Sequence, residues 1–165
     1  MGWASHTQII GPADLADELA PSPRRARART TETPWTLSVL TVDDDDADAS
    51  LITEALRRNE RVRHTCSASE PDRALDDLVH GQLRPDLILL DIQMPRVDGF
   101  TFLRALREVP WMARTPVVFL TTSGYERDVK RAGQTDAAGY IVKPDTFREM
   151  RERIDDVIDR FVLES

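Results

Sequence analysis

At 165 residues with 41% hydrophobic side chains, the chain has the size of one domain and enough apolar content for a single core. A formal charge of -7 and an isoelectric point near 5 exclude general affinity for nucleic acid, whose phosphates an acidic surface repels, and the single Cys66 excludes an internal disulfide. No apolar run approaches bilayer length and the N-terminus lacks a signal-peptide layout, so a cytoplasmic protein without membrane association is expected.

Residues 1–36 carry Pro12, Pro21, Pro23 and Pro34, the cluster Arg24, Arg25, Arg27 and Arg29, and little apolar periodicity. They read as a flexible N-terminal extension, with one short helix expected from about Ala13 to Leu19. The arginines read as a solvated linker in preference to a nucleic-acid contact, since Asp14, Asp17, Glu18 and Glu32 balance them. From residue 37 to 165 an apolar run of strand length followed by a helix-period stretch repeats five times. The predicted elements, in chain order, are a strand at Leu37–Val42, a helix at Ala47–Arg58, a strand at Val62–Ser67 and a helix at Asp72–His80. After these come a strand at Asp86–Leu90, a helix at Phe100–Val109, a strand at Val117–Thr121, a helix at Glu126–Ala132, a strand at Gly139–Val142 and a helix at Phe147–Leu163.

Strands that are almost wholly apolar are buried on both faces, so this alternation predicts a single (βα)5 domain, a doubly wound parallel sheet of flavodoxin-like order 2-1-3-4-5. Ligands of such sheets bind at the carboxyl ends of the strands. There the first strand ends in Asp43, Asp44, Asp45 and Asp46, the third in Asp91, the fourth in Thr121 and Thr122, and the fifth in Lys143-Pro144. Carboxylates gathered from two strand ends repel one another unless a cation bridges them, and magnesium, with oxygen ligands and an open position for a phosphate oxygen, suits that task. A lysine ammonium and a threonine hydroxyl opposite them supply donors for phosphoryl oxygens. Asp91 is placed to act as an aspartate nucleophile toward phosphorus.

Each feature also has a plainer reading. The run 43–46 can cap the following helix, Asp91 can be a turn residue and Lys143 a solvated charge. Tyr140 reads first as a core ring, and Cys66 and His64 as structural residues of the second strand.

The segments VDDDD (42–46), LILLDIQMPRVDGF (87–100), FLTTS (119–123) and GYIVKP (139–144) resemble, jointly and in order, the receiver domain of two-component response regulators. The resemblance implies Asp91 as phosphoacceptor, Asp43 and Asp44 with Asp91 and the Gln93 backbone carbonyl as ligands of Mg2+ or Mn2+, and Thr121 and Lys143 on the phosphoryl oxygens. It implies a switch pairing Thr121 with Tyr140, Gln93 and Ser123 as residues that tune dephosphorylation, and a cis bond before Pro144. It also implies a phosphorelay role without enzymatic turnover: a stand-alone regulator with a histidine kinase as phosphodonor and output through protein contact on the face of helix four, strand five and helix five. The wording around TPVVFLTTS (115–123) further resembles single-domain regulators paired with bacterial phytochromes, which often form homodimers. A shuttle to a histidine phosphotransfer protein and a phosphate-independent adaptor stand as alternatives. An aspartate-nucleophile phosphatase would use Asp43 and Asp45, but its further acidic pair is missing from the sequence.

Overall fold

The computed structural model describes residues 7–9, 36–122 and 126–163. Strand β1 (Thr7–Ile9) comes first, followed by β2 (Leu37–Val42), helix α1 (Asp46–Arg57), β3 (Val62–Ala68), α2 (Pro71–Val79) and β4 (Leu87–Asp91). The chain continues through α3 (Gly99–Arg107), β5 (Val117–Thr121), α4 (Glu126–Ala132), β6 (Gly139–Val142) and α5 (Phe147–Leu163). The sheet order is β1-β6-β5-β4-β2-β3. Its five strands from β2 to β6 are parallel and reproduce the expected 2-1-3-4-5 order.

Alternation along each strand divides the core in two, because successive side chains leave a strand on opposite faces. Leu87, Leu89, Val118, Leu120 and Ile141 pack with Ile52 and Leu56 of α1 and with Met150, Ile154, Val157 and Ile158 of α5. Ile88, Leu90, Phe119 and Tyr140 point the other way, toward Ala74 and Leu78 of α2, Phe102 and Leu106 of α3, and Ala132 of α4. With both faces covered, β4 and β5 are buried at every position and have no place for a polar side chain until their last residues, Asp91 and Thr121.

Two features depart from the sequence-based expectations. Strand β1 lies within the segment read as flexible and pairs antiparallel with β6, Gln8 opposite Tyr140. Three residues carry no periodicity that would announce a strand; the pairing answers the unpaired backbone groups at the β6 edge. No cis peptide bond occurs among the described residues, so the bond before Pro144 is trans, the lower-energy form of an X–Pro bond. Lys143 is turned toward the site without a cis bend, its N–H donating to the Thr121 carbonyl at 2.7 Å. The helix expected at 13–19 lies outside the described residues, as does Ser123.

Candidate functional site

Asp43 leaves the end of β2 fully buried, and Asp91 leaves the end of β4 with 4% exposure. Register brings these ends together, since β2 and β4 are neighbours with Val42 opposite Leu90. Asp44, one residue on, is exposed, yet a carboxylate oxygen from each of Asp43, Asp44 and Asp91 falls within 4.8 Å of the others. The Asp43 side chain accepts from the Asp45 N–H at 3.0 Å, which tightens the turn into α1. Asp45 caps that helix, accepting from the N–H groups of Ala47 (2.9 Å) and Asp48 (3.0 Å). The capping role weighed for the acid run therefore holds for Asp45.

Lys143 at the end of β6 reaches this cluster. Its Nζ donates to Asp43 Oδ2 at 2.7 Å and to Asp48 Oδ2 at 2.9 Å, and lies 3.3 Å from Asp91 Oδ1. Burial alone would lower the lysine's proton affinity; the hydrogen bond to Asp43 and the carboxylates of Asp91, Asp43 and Asp48 reverse this and hold the ammonium above its ordinary range. Burial pushes the Asp91 carboxyl up to about 6 despite Lys143, with Asp43 and Asp44 adding to the rise. Burial also raises Asp43, against the pull of Lys143. A site whose carboxylates resist ionisation is one that a hard divalent cation would relieve, and all the clustered donors are oxygens, as Mg2+ and Mn2+ prefer.

The loop after β4 shapes the floor of the site. Gly99 opens α3 so close to β4 that a Cβ there would stand 2.5 Å from the Asp91 carbonyl oxygen and 2.9 Å from Ile92 Cα. The Gly99 N–H donates to the Ile92 carbonyl at 2.9 Å, and Asp98 caps α3 by accepting from Thr101 N–H at 2.7 Å. Only glycine allows this approach. Arg96 turns the loop with φ 68, a left-handed conformation rare for a side-chain-bearing residue. Gln93 points to α4, its Nε2 donating to Asp128 Oδ2 at 3.3 Å.

Thr121 is buried at the end of β5, and Tyr140 is buried in β6 opposite Phe119, its hydroxyl raised in pKa by burial. The structure thus gathers Asp43, Asp44, Asp91 and Lys143 and ends β5 beside them with Thr121. The sequence reading passed over Asp48. No local signal marks it: Asp48 sits in the first turn of α1 after the N-cap Asp45, and its partner Lys143 lies 95 positions along the chain.

The family profile described as "Response regulator receiver domain" matches residues 39–155. This chain belongs to the response-regulator receiver family. The receiver is 31% identical over 123 residues to a probable methanogenesis regulatory protein, FilR2, of Methanothrix harundinacea, covering 72% of this chain and 79% of that protein. It is 37% identical over 112 residues to a protein-glutamate methylesterase/protein-glutamine glutaminase of Anaeromyxobacter dehalogenans, covering 67% of this chain but 30% of that one. The chain thus spans about a third of the length of such methylesterase relatives. Among solved structures, the Mn(2+)-bound form of response regulator Rcp1 matches with TM-score 0.68 at 27% identity, over 76% of this chain and 94% of that one. The phosphorylated cyanobacterial phytochrome response regulator RcpA matches with TM-score 0.67 at 27% identity, over 78% of this chain and 94% of that one. The receiver has no helix, among its described residues, long and apolar enough to cross a membrane.

Proposed function

We propose that this receiver accepts a phosphoryl group on Asp91 from a histidine kinase and passes the signal on by protein contact. The observation that carries the reading is the convergence of Asp43, Asp44 and Asp91 within 4.8 Å, with the Lys143 ammonium 3.3 Å from Asp91. A carboxylate oxygen of Asp91 attacks the phosphorus of the phosphohistidine, the P–N bond breaks with its electron pair passing to the imidazole, and an acyl phosphate forms. Asp43, Asp44, Asp91 and the Gln93 carbonyl would hold magnesium, which supplies charge neutralisation for the phosphoryl oxygens. Lys143 and the Thr121 hydroxyl donate to those oxygens, and Gln93 and Ser123 tune the loss of the group to water.

Engagement of Thr121 by the phosphoryl group shifts a population that already exists, with the Tyr140 ring following, because a ligand moves an equilibrium only by its differential affinity for the two states. The readout surface is α4, β6 and α5. Likeness to phytochrome response regulators supports a phytochrome-type kinase as donor, and the resemblance of residues 115–123 to that group extends the reading to a homodimer as the responding state. Intact mass with acetyl phosphate and Mg2+, alongside light scattering, tests this. A phosphate-sized gain that Asp91→Asn abolishes is expected, with dimer formation following the gain. Equal gain in the variant would dismiss Asp91 as acceptor.

A further inference from the structure

Lys143 offers three N–H donors, and three carboxylates surround them: Asp43 at 2.7 Å, Asp48 at 2.9 Å and Asp91 at 3.3 Å. Two of these partners have other work under the reading above, on which this inference rests. Asp91 becomes the acyl phosphate, and Asp43 belongs to the carboxylate cluster suited to a cation. Asp48 stands outside that cluster. It sits on the first turn of α1, its own N–H held by the Asp45 cap at 3.0 Å, so its carboxylate is anchored to a helix and not to a loop.

We propose that Asp48 is a positioning residue for Lys143, holding one ammonium N–H on α1 so that another stays directed at Asp91 and at the phosphoryl group once it is there. A lysine ends in a point charge on a flexible four-carbon stem, and only partners on more than one side fix its direction. A cation in the cluster would repel the ammonium and compete for Asp43. Asp48 is then the remaining anion that keeps Lys143 in place. Because Lys143 stabilises the same dispersed charge as the phosphoryl group arrives and as it leaves, loosening it should slow uptake and hydrolysis together.

The test is a double-mutant cycle over the full chain: unaltered protein, Asp48→Ala, Lys143→Ala and the pair, with uptake from acetyl phosphate and Mg2+ followed by intact mass. Asp48→Ala should slow uptake about tenfold and have no further effect once Lys143 is gone. Asp48→Asn, whose amide oxygen still accepts, should recover most of the rate and controls for folding. A second readout needs neither metal nor phosphate: the 1H–15N signal of the Lys143 ammonium, protected from exchange in the unaltered protein and in Asp48→Asn, should vanish in Asp48→Ala. Additive rate losses, an Asn variant as slow as Ala, or an ammonium signal indifferent to Asp48→Ala would each overturn the proposal. Failure of the unaltered protein to gain phosphate would overturn the Asp91 reading instead, while the ammonium signal still decides whether Asp48 holds Lys143.

Discussion

Helix α1 sends Ala49, Ile52, Ala55 and Leu56 into the core and closes its N-terminus with the Asp45 side chain, while α4, whose Asp128 meets Gln93, buries Ala132 alone among its seven residues. Both helices border the strand ends, yet one is sealed by apolar packing and the other rests on half-buried Val129 and on Arg131 lying 4.0 Å over the Phe100 ring. The contrast shows a division of labour. Asp48, proposed to position Lys143, is carried by the firmly packed helix, while Gln93, proposed to tune loss of the phosphoryl group, meets the loosely packed one. The helix with little buried surface is the one whose displacement costs least, and local stability is low where buried apolar contacts are few.

The largest effect expected from breaking this contrast is at Ile52. Ile52→Ala should cost about 2–5 kcal/mol in denaturant unfolding, whereas Val129→Ala, only half-buried, should cost well under half as much. Equal costs would remove the distinction between the helices. Gly99→Ala forces backbone away from the Asp91 carbonyl and should destabilise by about 1–3 kcal/mol while also slowing phosphoryl uptake, a combination that Val129→Ala should not produce.

The charge at Asp91 gives a sharper test. Its carboxyl is raised to about 6 from an ordinary 3.8, so the folded protein binds the proton more tightly than the unfolded chain does. Stability contributed by this group therefore falls as pH rises between those values, and the cost is complete above about pH 6. Asp91→Asn should stabilise the metal-free protein at pH 7 to 8 by a few kcal/mol at most, seen as a higher melting temperature, and the advantage should shrink as pH falls through about 6 toward 4. A constant or inverted difference would contradict the burial argument. The smallest effect is expected at Asp128→Ala, which releases Gln93: a severalfold change or less in phosphoryl lifetime, measured by decay of the intact-mass gain, with unfolding stability unchanged to within about 1 kcal/mol.

How far the sequence could be read follows from the range of the physics involved. Strand and helix periodicity is a local signal, and the parallel elements were legible to within a residue or two; Leu37–Val42, Val117–Thr121 and Gly139–Val142 coincide with the observed strands. The placing of Asp43, Asp91, Thr121 and Lys143 together was legible as well, because a buried apolar strand that ends in a polar residue sets that residue at the carboxyl edge of the sheet. The contacts that give those residues their properties span the chain. Asp48 lies 95 positions from Lys143, and nothing near Asp48 announces a partner; the same holds for Gln93 and Asp128, 35 positions apart. Strand β1 is likewise created by the open edge of β6 more than by its own three residues. Local pattern set the order of elements and the edge at which chemistry collects, through side-chain periodicity and the cost of burying polar groups. Packing alone chose which carboxylates share the lysine, because that choice depends on distances between segments that only the closed sheet brings together.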